Sequence, residues 1–146
     1  KQYRIVYDQR GKLSLVPIST SDAEWKLRRI ERKTTVKGNK TQLNLHDGTN
    51  IIVKDDVFTV GDVLKTMLKD FSISESYPRS KGAISFIIGG RHIGEMATLD
   101  EVSIIKSSKP NVAKMTGDQQ FMTLERYVFP IGKTKPVISI PEVSIQ

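Results

Sequence analysis

Seven of the fifteen residues from Lys26 to Lys40 are basic: Lys26, Arg28, Arg29, Arg32, Lys33, Lys37 and Lys40, against the single acid Glu31. Cations so crowded repel one another unless a counter-charge lies near, and a phosphate backbone supplies one. The plain alternative is a solvated strand face. A second candidate lies between Gly82 and Leu99, where Gly82, Gly89, Gly90 and Gly94 surround two apolar runs. Gly89-Gly90 after a strand permits a tight turn and a close backbone approach, and Arg91 and His92 then occupy the tip of a loop that Gly94 closes. Exposed amides beside a cation suit a phosphate or a base edge. This is not a nucleotide-binding loop: no lysine followed by Ser or Thr stands at the required spacing, and a strand rather than a helix is expected after Gly94.

Other chemistry finds weaker support. His46 beside Asp47 could suggest acid-base work, but the pair sits in a turn, where Asp47 bonds local backbone and His46 packs or meets a bound partner. Two histidines so far apart make no metal motif. Asp55, Asp56 and Asp62 fit no twelve-residue calcium loop and read as surface turn residues. The 146-residue chain has no cysteine, which removes disulfides, thiolate metal sites and cysteine nucleophiles. No cofactor, metal or small-molecule substrate is implied. Lys and Arg number 23 against 16 Asp and Glu, a formal charge of +7, which favours an anionic partner. No segment is apolar enough to span a bilayer, and the polar start (Lys1, Gln2, Arg4) has no signal-peptide core.

The elements that must position these residues are mostly strands. Tyr3 to Tyr7 and Lys12 to Ile18 read as a hairpin around Asp8-Gln9-Arg10-Gly11. Ser21-Asp22-Ala23-Glu24 has capping-box spacing and predicts one short helix, whose end stays open because Leu27 and Ile30 fit a helical spacing while Thr34 and Val36 alternate like a strand. Gly38-Asn39 can supply the positive-φ residues of a two-residue turn before Thr41 to Leu45, and Asp47-Gly48 is a turn before Ile51 to Val53. Val63 to Leu68 and Phe71 to Ile73 read as strands, and polar Ser74 to Lys81, with Pro78, as a junction. Beyond it, Ala83 to Ile88, Met96 to Leu99, Val102 to Ile105, Val112 to Met115, Phe121 to Leu124 and Tyr127 to Ile131 follow at short spacing. Such a series suggests a small closed barrel, since closure removes sheet edges. Pro130, Pro136 and Pro141 resist central-strand positions. Trp25 is read as core in preference to a base-stacking ring, and Phe86 and Phe121 as core.

The segment Gly82-Ala83-Ile84-Ser85-Phe86-Ile87-Ile88-Gly89-Gly90-Arg91-His92-Ile93-Gly94 resembles the KOW motif of ribosomal proteins and transcription elongation factors. The stretch from Lys33 to Ile51, with Gln42-Leu43-Asn44-Leu45-His46-Asp47-Gly48 at its centre, resembles the central region of the archaeal and eukaryotic S-four-e family of small-subunit ribosomal proteins. So do Val60-Gly61-Asp62 and Val128-Phe129-Pro130-Ile131-Gly132-Lys133. The likeness runs from about Tyr3 to about Pro141 and looks archaeal. Glu95 stands where the family usually has a basic residue, and Ala97 where it usually has glycine.

The resemblance implies a mainly β chain: a β-rich central module with one short helix over residues 1–79, and a KOW or SH3-like small barrel with a C-terminal tail over 80–146. It implies a structural role in the small subunit, in the cytoplasm, with small-subunit rRNA and neighbouring ribosomal proteins as partners and no reaction catalysed. It further implies an S-four-type RNA-binding domain ahead of Lys1. On this reading Lys26, Arg28, Arg29, Arg32, Lys33, Lys37 and Lys40 neutralise phosphates, and Arg91 and His92 contact RNA. The rivals are an elongation-factor-like KOW module, against which Thr41 to Gly48 speaks, and a protein-binding SH3-like domain, for which exposed aromatics are few.

Overall fold

The computed structural model describes residues 2–8, 10–54, 57–103 and 111–133. They form twelve strands: β1 (Gln2–Tyr7), β2 (Leu13–Ile18), β3 (Trp25–Val36), β4 (Lys40–Leu45), β5 (Asn50–Val53), β6 (Val63–Met67), β7 (Ile73–Tyr77), β8 (Ile84–Ile87), β9 (Met96–Ser103), β10 (Val112–Thr116), β11 (Gln120–Leu124) and β12 (Val128–Gly132). Among the described residues helix is confined to two single 3-10 turns, Asp22–Glu24 and Glu125–Tyr127. The chain is therefore mainly β, as its hydrophobic periodicity predicts.

The strands make one two-stranded ribbon, β1-β2, and two five-stranded antiparallel sheets, in the orders β5-β4-β3-β6-β7 and β11-β10-β9-β8-β12. Each larger sheet curls around its own apolar cluster. Ile30, Leu43, Leu45 and Leu64 fill the first. Ile87, Ala97, Leu99, Ala113, Met115 and Val128 fill the second, with Phe121 packed against them, so all five of its strands contribute. A third cluster joins the two sheets: Val6, Trp25, Leu27, Val63 and Tyr77 meet Phe86 and Ile131. Pro130 sits in β12, an end strand of its sheet, opposite Ser85, where a missing amide donor costs least.

Strand β3 is the shared member. Trp25 to Arg29 pair with β6, and Ile30 to Val36 pair with β4, with a register shift between Ile30 and Arg32. Side chains alternate across a strand. Trp25 and Leu27 accordingly enter the cluster between the sheets, while Ile30 enters the core of the first.

Local structure departs from the sequence reading at definable points. No capping box forms: the Ser21 side chain caps nothing, and its hydroxyl meets that of Ser19 at 3.1 Å. The expected helix is a single 3-10 turn because β3 begins at Trp25, where burial of the indole claims the chain. Val36 pairs with Lys40, so the hairpin loop has three residues, and Gly38 and Asn39 supply the positive φ (86° and 58°). Phe71 is not in a strand; it holds a φ of 59° in the β6–β7 turn, and Ser74 to Tyr77 of the supposed junction join Ile73 in β7. Met96 to Ser103 is one continuous strand. Asp62 is buried, not a surface turn residue: its carboxylate accepts from the Thr59 and Arg79 amides at 3.1 Å each. Asp55, Asp56, Ile104, Ile105, Pro136 and Pro141 lie outside the described residues. On the β1-β2 ribbon, Val6 faces inward, while Leu13 and Leu15 are 68% and 62% exposed.

This division of leucines predicts a contrast. Leu43→Ala, at a fully buried site, should lower unfolding free energy by about 2–5 kcal/mol. Leu15→Ala should change it by less than about 0.5 kcal/mol. Urea denaturation followed by circular dichroism measures both.

Candidate nucleic-acid interface

The pleat of β3 divides the basic run. Arg28 is 4% exposed; its Nε donates to the Asp47 carboxylate at 2.7 Å, and its Nη1 donates to the Thr66 hydroxyl. Lys26 donates to the same Asp47 oxygen at 3.0 Å, with its ammonium end still accessible. Arg29, on the opposite face, is 8% exposed. Its Nε and Nη2 bond Glu31 at 3.1 and 2.9 Å, and its Nη1 donates to the carbonyls of Arg126 and Val128 at 2.8 and 3.1 Å. The two arginines are thus internal struts, and their guanidinium groups are turned into the protein.

Beyond the register shift the cations emerge. Arg32, Lys37 and Lys40 are exposed and have no side-chain partner among the described residues. Lys33 is half-buried and donates to the Phe58 carbonyl at 2.7 Å. The backbone at the cationic end of the β3–β4 hairpin is held by the β3-β4-β5 ladder.

The turn Asp47-Gly48 anchors the other side of β3. Asp47 accepts from Lys26, Arg28 and the Thr49 amide, the last at 3.1 Å. Partial desolvation pushes its carboxyl up, but the bonds from Arg28, Lys26 and Thr49 outweigh it and hold the group well below the usual carboxylate range. His46 Nδ1 accepts from the Arg29 amide at 3.0 Å, and its ring meets Phe129 edge-on at 5.3 Å. Desolvation lowers the His46 pKa; Asp47 opposes this, while Lys26 and Arg29 reinforce it.

On the second sheet, Gly89 and Gly90 lie against the Tyr127 ring: a Cβ on Gly89 would stand 2.5 Å from a ring carbon. Glycine is needed there for close approach. Arg91 is exposed and has no partner among the described residues. His92 turns back, stacking on Phe121 at 4.0 Å and meeting Glu95 at 2.8 Å. Glu95 therefore has a local partner at a position where a basic residue was expected. Arg126, which the sequence reading passed over, is exposed above the Tyr127 ring at 5.2 Å. Arg126-Tyr127 stood alone in the sequence, and only folding places it beside the glycine loop. Trp25 is core, with Arg4 and Lys65 each 4.6 Å from its ring centre.

A cleft of about 350 Å³ between the ribbon and the two sheets is lined chiefly by apolar residues such as Ile5, Leu27, Phe86 and Phe129. Arg4, Tyr7, Lys26 and His46 also line it, and among the described residues no carboxylate, serine or threonine does. Among the described residues, no group of three or more His, Asp or Glu side chains could hold a metal ion, and no helix is long and apolar enough to cross a membrane.

The model of ribosomal family S4e matches residues 1–73. The chain is 47% identical over 141 residues to the small ribosomal subunit protein eS4 of Methanothermobacter thermautotrophicus, an overlap of 95% of this chain and 58% of that protein. The chain belongs to the ribosomal S4e family. Its likeness to the eS4 protein of Archaeoglobus fulgidus is 38% identity, over 96% of this chain and 60% of that protein. The crystal structure of the 30S ribosomal protein S4e from Thermoplasma acidophilum superposes with a TM-score of 0.78 at 31% identity, covering 90% of this chain and 67% of that one. This S4e chain thus spans about 58% of the length of the first of these relatives, and its likeness is to the archaeal type.

Two outcomes follow for this S4e chain. His46 has a lowered folded pKa, so its contribution to stability is complete above the ordinary value of 6.5 and is lost as pH falls from there through the folded pKa. Thermal unfolding midpoints should therefore drop between pH 7.5 and pH 5 (the range over which an ordinary histidine titrates, about 6.5). His46→Asn, which keeps an acceptor for the Arg29 amide, should flatten that drop. Asp47→Ala leaves the Arg28 guanidinium buried without its carboxylate and should cost about 1.5–3 kcal/mol in urea unfolding.

Proposed function

We propose that this chain is a structural part of the small ribosomal subunit that binds and braces small-subunit rRNA, in the cytoplasm, beside neighbouring ribosomal proteins, without catalysing a reaction. The observation that carries the reading is the set Arg32, Lys37 and Lys40 at the end of the β3–β4 hairpin, exposed and without a partner among the described residues, in a chain of charge +7. Membership of a family whose relatives are named small-subunit ribosomal proteins favours it over an elongation-factor module.

The roles divide by exposure. Arg32, Lys37 and Lys40 neutralise phosphates, with Lys33 and Lys26 contributing from positions they share with internal partners. Arg91 and Arg126 form a second contact on the KOW-like loop, where the Tyr127 edge and the arginine planes suit an RNA backbone or an unstacked base. Arg28 and Arg29 hold the hairpin and the barrel in place, and His92 braces the loop from inside. Phosphate contacts position the protein, and specificity comes from the folded shape of the RNA.

The test is binding of the chain to small-subunit rRNA over a salt series, with excess tRNA as competitor. Each phosphate contact should add roughly 0.7–0.9 to the slope of log affinity against log salt. Lys37→Ala/Lys40→Ala should flatten that slope by about two such contacts. Equal loss of binding to tRNA would mean charge without specificity, and an unchanged slope in the double variant would move the interface elsewhere.

A further inference from the structure

The two proposed contact surfaces lie on different sheets, so their relative placement decides whether one RNA shape can meet both. The element between them is the 3-10 turn Glu125–Tyr127. Its Tyr127 ring carries Gly89 and Gly90 at distances that no Cβ would tolerate on Gly89, and its Tyr127 carbonyl accepts from the Ile88 amide at 2.9 Å. The glycine loop that presents Arg91 is therefore seated on this turn.

The first sheet and the segment that follows it grip the same turn at two points. Arg29 of β3 reaches across to the Arg126 and Val128 carbonyls, which flank Tyr127. Arg79 bonds the Glu125 carboxylate at 3.1 Å. Neither arginine is free to wander. Arg29 is held by Glu31 and lies 5.7 Å from the Phe129 ring centre. The Arg79 guanidinium lies against Gly61, where a Cβ would stand 2.3 Å from its Cζ. Gly61 is itself bonded through its amide to the Ile30 carbonyl of β3 at 2.9 Å, and the Arg79 amide is bonded to Asp62.

We infer that Arg29 and Arg79 are positioning residues for RNA binding: through the turn Glu125–Tyr127 they hold the glycine loop and Arg91 in a fixed relation to the cationic hairpin of β3 and β4. This rests on the RNA-binding reading above. Two contact sets fixed in advance engage one RNA without the ordering cost that a loosely joined pair would incur. Neither arginine touches the RNA, so each should act on affinity and leave the count of phosphate contacts alone.

The chain has no cysteine, so two introduced thiols can be spin-labelled without background. Electron-electron distance measurements on Asn39→Cys/Arg91→Cys should give one narrow distribution. Adding Arg79→Ala, or separately Arg29→Lys, should broaden it. In chains that keep Asn39 and Arg91, the same changes should weaken rRNA binding about tenfold or more with the salt slope unchanged. Lys37→Ala should do the reverse, flattening the slope and leaving the distances narrow. The Arg79 variant keeps the test informative if the more buried Arg29 variant fails to fold. A distribution that stays narrow in a folded variant, or an affinity loss accompanied by a flatter slope, overturns the inference alone. Failure of the unvaried chain to bind rRNA at any salt would overturn the RNA reading and this inference with it.

Discussion

The pleat of β3 is the constraint on which the rest depends. A strand sends neighbouring side chains to opposite faces, so Arg28 and Arg29, adjacent in sequence, go to opposite sides of the molecule. Both are buried, and a buried guanidinium is tolerated only with its donors satisfied. Arg28 finds Asp47 and Thr66; Arg29 finds Glu31 and two backbone carbonyls. Each set of partners comes from a different part of the chain, so satisfying these two charges fixes the Asp47-Gly48 turn on one side and the second sheet on the other. Among the described residues no buried side-chain nitrogen or oxygen lacks a hydrogen-bond partner.

The apolar clusters supply the driving force, and these polar contacts supply the register. Trp25 and Leu27 share a cluster with Phe86 and Ile131, which brings the sheets together but would permit sliding, because apolar contact is non-directional. The bonds from Arg29 to carbonyls on both sides of Tyr127 have direction, and so does the His46 acceptance from the Arg29 amide. His46 and Phe129 meet edge-on at the same seam. His46 and Asp47, the pair that could suggest acid-base work, are both engaged in contacts that hold β3.

Much of this was legible in the sequence. Short alternating apolar runs with Asp-Gly and Gly-Asn turns located ten of the strands nearly in place, and the glycine spacing located the β8–β9 loop. Three things were not legible. The fate of Ser21 to Trp25 turned on a tertiary choice, because burial of Trp25 in the cluster between the sheets outweighed a local capping signal. The start of β7 depended on Phe71 accepting a left-handed backbone, which few non-glycine residues do. The basic run read as one footprint because sequence shows density of charge, not the face each charge takes. Once β3 is known to be a strand from Trp25, the alternation separates Trp25, Leu27 and Arg29 from Lys26, Arg28 and Ile30. Which members are buried still depends on partners far along the chain, such as Asp47 and the Val128 carbonyl. Arg126 was missed for the same reason: its company is made by folding.

The central claim is that RNA is held by the emergent end of β3–β4 and not by the basic run as a whole. Lysine acetylation read by mass spectrometry, with and without small-subunit rRNA, tests it directly. Strong protection of Lys37 and Lys40 by the RNA is expected, with Lys69 in the β6–β7 turn unaffected. Lys37 and Lys40 remaining fully reactive while Lys69 or Lys12 becomes protected would contradict it.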